Sequence, residues 1–355
     1  MLQGIVFHAL LPFHEAKRSP VSNPDAIVGV AAVTEWLHAF RMHGFFLISG
    51  ILSWQLLCRV GTTPFLRSRL QRIVVPLVVV LLTVNVAERF IVVQHHVDWG
   101  WGLTVVPTLY LGALWFLVYL ACFTTTLPMA GAVLQSPRVE RALDGWSPEK
   151  SEYALPILLA LGSMLVVLLA LTSPRWWQTD KLGLLQPVGA LLYSGYFAAG
   201  VFLARTASVS MLTSRPHAAW WVATVLGWAV IQWLSSSAWD DSWHLRLVLE
   251  NVYALAPLRL IFWGVSALVR TERAWSTAIV GASYTVYLLH QVVIKATASS
   301  LAWLPWHPLL KVPVIVCFGF AIPFGVHQLF VRKSRWLSFL LNGVSLPPTR
   351  LTHAG

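Results

Sequence analysis

The chain has 355 residues, of which 57% are hydrophobic and only 11% charged, with a mean hydropathy of +0.68. A water-soluble domain carries about 25% charged residues, so the composition excludes one and fits a helical membrane protein, whose spans need about 20 apolar residues each. The net charge of +11 argues weakly for nucleic acid, because the basic residues are spread over short loops between apolar runs, as the positive-inside rule describes.

Residues 1–13 are apolar but short, covering about 20 Å of the roughly 30 Å hydrocarbon core. They lack the basic start and small-residue cleavage site of a signal peptide. They read as the second half of a helix, with His8 inside it. Residues 14–36, with Pro20 and Pro24, read as an external loop. Further spans are predicted at 40–57, 73–93, 108–134, 155–171, 184–204, 218–234, 247–269, 278–304 and 309–331. Between them, 94–107 reads as a loop holding His95, His96 and Asp98, and 136–153 as a charged loop of mixed sign. The fold class is therefore all-α: a polytopic integral membrane helical bundle of about ten transmembrane helices, the first incomplete. Residues 1–335 form its transmembrane domain and 336–355 a basic tail.

Orientation follows from charge. Arg59, Arg67, Arg69 and Arg72 stand together with no acid among them, which places that loop in the cytoplasm. Most of the 25 basic residues then fall on the cytoplasmic side, against Lys17, Arg18, Arg89, Arg175, Lys181, Arg246 and Lys311 opposite, with both termini cytoplasmic. Cys58, Cys122 and Cys317 lie in or beside apolar spans and give neither a disulfide framework nor metal spacing. His95, His96 and Asp98, all in one loop, supply no closed ligand set, so no metal is expected.

The second span carries the strongest polar signal. His38, Arg41 and Phe45 share one helical face. A charge at such depth costs about 2.5–3.5 kcal/mol on insertion scales, so it faces a cavity or a partner. Glu35 and Glu88 are candidate partners for Arg41, which alternatively stabilises negative charge on a substrate. Gly44, Ser49, Gly50 and Ser53 on the same helix suit close packing. Arg69 and Arg72, three apart, suit phosphate oxygens, and equally suit plain cytoplasmic anchoring. Ser283, Tyr287 and His290 recur on one face, lining a pocket or bonding between helices. Arg259 is a second intramembrane charge and a candidate for binding a carboxylate or thioester oxygen. His8 is either a general base or a histidine bonded to a neighbouring helix, and Trp115 reads as packing.

Six blocks, in order along nearly the whole chain, carry a family resemblance. They are Gly4-Ile5-Val6-Phe7-His8, the run from His38 through Arg41 to Ser49-Gly50, and Arg69-Leu70-Gln71-Arg72 followed by Pro76. The others are Leu114-Trp115-Phe116-Leu117, Gly195-Tyr196-Phe197 with Gly200, and Ser283-Tyr284-Thr285-Val286-Tyr287-Leu288-Leu289-His290. Together they resemble membrane-bound acyltransferase family 3, and within it the glucans biosynthesis protein C group. The resemblance implies an O-acyltransferase of the bacterial inner membrane. Such an enzyme moves an acyl group from cytoplasmic acyl-CoA, a substrate and not a bound cofactor, to a hydroxyl of an exported or envelope glycan. In that group the acyl group is succinyl; acetyl is the alternative. The resemblance makes His8 the catalytic base, and Arg41 is expected to hold its partner groups or to stabilise negative charge on the attacked carbonyl. The resemblance favours Arg69 and Arg72 as the site of the donor phosphates, while His38, Ser283, Tyr287, His290 and Arg259 are expected to bind substrate from their positions and charge. The partners are acyl-CoA, the glycan and the lipid bilayer, with no nucleic acid.

No serine or cysteine stands in a nucleophile motif, so direct transfer is expected over an acyl-enzyme. The family's first helix carries an arginine well ahead of its histidine, and this sequence opens after that point. An in-frame upstream extension with that arginine would restore the enzyme reading; without it the chain reads as an inactive remnant. A transporter is the other alternative, although Pro156, Pro187 and Pro257 do not form the paired interrupted helices of inverted repeats.

Overall fold

A computed structural model describes residues 1–15, 19, 21, 26–95, 111–172, 187–236, 243–269, 271 and 273–344, and every regular element among them is helical. Among the described residues, eight stretches are long and apolar enough to cross a membrane, and two shorter apolar helices, Leu2–Phe13 and Ala218–Leu234, join them. The protein is a multi-pass membrane bundle. In chain order the helices are α1 (Leu2–Leu10), α2 (Val30–Val60), α3 (Thr62–Leu82), α4 (Val84–His95), α5 (Trp115–Leu134), α6 (Pro137–Ala142), α7 (Pro148–Thr172) and α8 (Pro187–Arg205). They continue as α9 (Ser210–Thr213), α10 (Ala218–Ser236), α11 (Trp243–Tyr253), α12 (Leu255–Leu268), α13 (Ala274–Ala302), α14 (Pro308–Val326) and α15 (Arg335–Asn342). Much of loop 94–107, with His96 and Asp98, and Pro20 and Pro24 lie outside the described residues, as does the His95 side chain.

Several boundaries differ from the sequence expectation. The second span starts at Val30 and not at residue 40. Its capping group comes from afar: the Glu15 carboxylate accepts the backbone N–H of Gly29 at 2.6 Å and of Ala31 at 2.9 Å. Gly29, at φ 87°, makes the turn that brings them together. Hydrogen bonds from its own backbone N–H and from Gly29 and Ala31 hold the Glu15 carboxyl below its ordinary range. Consequently His38 and Arg41 lie well inside a 31-residue helix, not at its entrance. α3 begins at Thr62, straight after Gly61, so Arg67, Arg69 and Arg72 are all helical. The segment 136–153 is not simply a loop, since it holds α6 and the first turn of α7. The eighth expected span is two helices, α11 and α12, broken around Ala254.

The basic tail is also partly folded. Ser334 caps α15 through Leu337 N–H at 3.3 Å, and Gly343 ends it in the left-handed conformation at φ 59°. α15 packs on α3. Its last residue accepts the Thr285 hydroxyl on Asn342 Oδ1 at 3.0 Å, while His327 Nδ1–H donates to Thr285 at 2.9 Å.

α2 is the central element. The larger core cluster, with Phe40, Phe46, Leu47, Leu117, Tyr196 and Leu203, wraps it, and a second cluster joins α1 to α13 and α14 through Ile5, Ala9, Val286, Ile294 and Ile315. The outward faces of α7 and α10 present Ile157, Leu161, Met164, Leu168, Val225 and Leu226. Against α8 the α2 backbone makes direct contact: a Cβ on Gly50 would strike the Phe197 carbonyl, and one on Gly200 the Leu47 carbonyl. Such small-residue crossings are how helices approach closely in lipid. A buried polar chain reinforces this face. His43 Nε2–H donates to Asn251 Oδ1 at 3.1 Å, Asn251 donates to Ser163 Oγ at 2.7 Å, and the Tyr196 hydroxyl donates to the Asn251 carbonyl at 2.5 Å. At about 100° per residue, Gly50 lies roughly 180° around α2 from Arg41, so clamping one face aims Arg41 away from α8.

Gly200→Ala inserts a methyl into a backbone–backbone contact, and overpacking of this kind costs about 1–3 kcal/mol. The detergent-solubilised variant is expected to unfold at a clearly lower temperature than the parent. An unchanged melting temperature contradicts the close crossing.

Candidate active site

A cavity of about 300 Å³ lies between α1, α2 and α13, with Gly112 and Trp115 at its edge. Each helix presents one face to it. From α1 come Gly4, Phe7 and His8, at the i, i+3, i+4 spacing that puts side chains on one stripe. From α2 come His38, Arg41, Met42 and Phe45, and from α13 Tyr287, His290, Gln291, Ile294 and Lys295.

Arg41 is 8% exposed. Its guanidinium carbon lies 4.0 Å from the centroid of the Phe7 ring, a cation–π contact worth about 2 kcal/mol when desolvated. His38 stacks on the same ring, with centroids 5.7 Å apart and an interplanar angle of 27°. No carboxylate among the described residues pairs with Arg41, and its buried Nη1 has no hydrogen-bond partner. The two acids that sequence offered are engaged elsewhere: Glu35 accepts from Gln232 at 3.4 Å, and Glu88 pairs with Lys295.

His8 faces α13. The Gln291 amide nitrogen lies 3.2 Å from its Nε2 and 3.3 Å from its Nδ1, within reach of whichever ring nitrogen is unprotonated. The His290 ring is 5.3 Å away, centroid to centroid. His290 Nδ1 lies 2.6 Å from the Tyr287 carbonyl. A carbonyl only accepts, so Nδ1 carries the proton and Nε2 is the basic nitrogen. The cavity thus holds three imidazoles, one guanidinium short of a partner and an ammonium whose charge Glu88 offsets. The remaining positive charge suits an anion that develops inside it.

The structure brings His8, His38, Arg41, Tyr287 and His290 to one cavity. Three groups of expected residues lie elsewhere. Ser283 spends its hydroxyl on the Val280 carbonyl at 2.7 Å, about one turn before Tyr287. Arg259, fully buried, does not reach the cavity. Its Nη1 holds the carbonyls of Leu212 and Ser214 at 3.1 and 2.7 Å, its Nη2 holds the Ser214 hydroxyl at 2.9 Å, and Glu152 lies 4.0 Å away. It clamps the turn after α9 through its two Nη groups, while its buried Nε has no hydrogen-bond partner. Arg69 and Arg72 lie in the middle third of α3, at the level of Tyr284, whose hydroxyl donates to the Arg72 carbonyl at 3.0 Å. Arg69 Nε is buried without a partner. Tyr284 in turn stacks with Tyr287, centroids 6.3 Å apart, so one face of α13 runs from the arginines to the cavity.

Sequence reasoning passed over Gln291, Phe7 and the Lys295–Glu88 pair. Gln291 and Lys295 follow Tyr287 at i+4 and i+8 inside an apolar span, and that spacing was the available signal.

A family model described as "Acyltransferase domain" matches residues 1–328. Among curated proteins the chain is similar to "Glucans biosynthesis protein C" of Escherichia coli strain K12, 23% identical over 309 residues that cover 82% of this chain and 78% of that protein. The same-named protein of Escherichia coli O9:H4 strain HS matches with the same identity and coverage. No solved structure matches.

Removing one partner of the Lys295–Glu88 pair strands a buried charge, at about 3–5 kcal/mol. Glu88→Leu alone is expected to destabilise the purified protein strongly. Adding Lys295→Met is expected to recover most of the lost thermal stability. Equal melting temperatures for the single and double variants contradict the pairing.

Proposed function

The chain belongs to the acyltransferase 3 family of acyl-transferring enzymes, and from that premise we propose that it is an O-acyltransferase moving an acyl group from cytoplasmic acyl-CoA to a hydroxyl of an exported or envelope glycan. The observation that carries this reading is the convergence of His8, His38, Arg41 and His290 on one cavity within a membrane bundle. The glycan acceptor rests on the similarity to proteins named for glucan biosynthesis. Acetyl and succinyl are the candidate acyl groups. Of Arg41 and Arg259, Arg41 is the one that lines the cavity and so serves either an oxyanion or a terminal carboxylate.

His8 is the general base. It takes the proton of the acceptor hydroxyl as the oxygen attacks the thioester carbonyl. The carbonyl π-electrons move to oxygen, and the resulting oxyanion is met by the unpartnered Nη1 of Arg41. The tetrahedral species collapses with loss of the thiolate, which receives the proton from the His8 imidazolium. Gln291 and His290 hold the ring in position. The donor's phosphates bind Arg69 and Arg72 at the cytoplasmic end, where guanidinium forks match phosphate oxygens, and its arm passes Tyr284 and Tyr287 to the cavity. Both termini then face the cytoplasm of a bacterial inner membrane.

His8→Ala is expected to lower acyl transfer by about 10²-fold or more, the usual contribution of a general base, with the melting temperature retained. Transfer at the parent rate would remove His8 from the chemistry. Arg69→Ala combined with Arg72→Ala is expected to weaken acyl-CoA binding by at least about tenfold, from the loss of charge-assisted hydrogen bonds. An unchanged Kd by calorimetry contradicts the donor site.

A further inference from the structure

A second cavity, of about 580 Å³, lies between α5 and α8. One face of α8 lines it, from Ser194 through Phe197 and Val201 to Arg205, opposite Phe123, Leu127 and Leu134 of α5. It opens sideways, since Thr126, Ala130, Val133 and Ala198 on its two rims are all exposed. In a multi-pass membrane protein a lateral opening at this depth meets lipid. Ser194 to Arg205 spans about 16 Å at 1.5 Å per residue, close to the roughly 15 Å of one leaflet's hydrocarbon. Ser194 stands near the middle of α8 and Arg205 at its end, so the cleft runs from the bilayer's middle to one head-group level.

That end carries Arg205, the last residue of α8. Arg59 stands in the last turn of α2, and α6, which reaches Arg205 through Glu140, carries Arg138 and Arg141, the latter bonded through Nε to the Pro137 carbonyl at 3.1 Å. The nearest acid is Glu140, whose carboxylate stands 3.9 Å from the Arg205 guanidinium and is itself 69% exposed. That pair is too long for a hydrogen bond and leaves the cation available. The cleft is closed off from the reaction cavity by packed rings. Phe197 meets Phe123 at 5.6 Å, Phe123 meets Phe46 at 5.3 Å, Phe46 meets Tyr193 at 5.1 Å, and Tyr193 meets Trp115 at 5.5 Å. An occupant therefore does not enter the chemistry.

We propose that the α5–α8 cleft binds one hydrocarbon chain of an anionic phospholipid, with its phosphate against Arg205. The inference needs only the membrane bundle and stands independently of the acyl-transfer assignment. The test is native mass spectrometry of the full chain after exchange into equal amounts of phosphatidylglycerol and phosphatidylcholine with identical chains. The parent is expected to retain one phosphatidylglycerol in preference to phosphatidylcholine by about fivefold, the effect of one basic residue at a lipid surface. Arg205→Gln is expected to erase the preference. Ala198→Phe, which fills the cleft, is expected to abolish retention of both lipids, and Leu161→Phe on the outer face of α7 to leave it unchanged. Thr126→Trp repeats the block from the opposite rim should Ala198→Phe misfold. Equal retention of the two lipids by the parent overturns the head-group assignment. Parent-like retention by the cleft-filled variants overturns the site.

Discussion

Arg41 is the constraint around which the bundle is arranged. A guanidinium in a membrane-spanning helix needs a reason to be there, and the usual one, a neighbouring carboxylate, is not supplied by the described residues. Its stabilisation comes from the Phe7 ring at 4.0 Å, a contact that holds a cation without neutralising it. A cation kept in low dielectric with one nitrogen unpaired interacts far more strongly with a developing negative charge than one in water does. In the proposed mechanism, the cost of burying it is the source of its usefulness.

Holding that group in place takes both faces of α2. On one side the Gly50–Gly200 crossing and the His43–Asn251–Ser163 chain fix the helix against α7, α8 and α11. On the other, α1 and α13 bring His8, Gln291 and His290 opposite Arg41. Lys295, paired with Glu88, closes the wall toward α4.

The ten apolar segments were legible in order, because lipid solvation writes long apolar runs that no tertiary contact needs to explain. His8, His38 and Arg41 were legible for the complementary reason: polar groups inside such runs are costly and stand out. What escaped was set by contacts distant in sequence. The start of α2 depends on a carboxylate fourteen residues upstream of Gly29, which no local capping pattern reveals. Arg259 looked like a second site charge, yet its partners come from a turn more than forty residues away. Ser283 shares the azimuth of Tyr287 on α13 but stands a turn outside the cavity, and a helical period fixes angle without fixing depth. Lys295 and Glu88 stand 207 residues apart, and only the fold matches them. The α15 segment, only eight residues long, reads as a tail until its docking on α3 supplies the stabilisation that an isolated helix of that length lacks.

The most direct measurement is a cryo-electron microscopy structure of the full chain bound to a non-transferable thioether analogue of acyl-CoA. The account predicts density for the acyl carbonyl between His8 and Arg41, with its oxygen toward the guanidinium and the phosphates at Arg69 and Arg72. Analogue density elsewhere in the bundle, with the His8–Arg41 cavity empty, would contradict it.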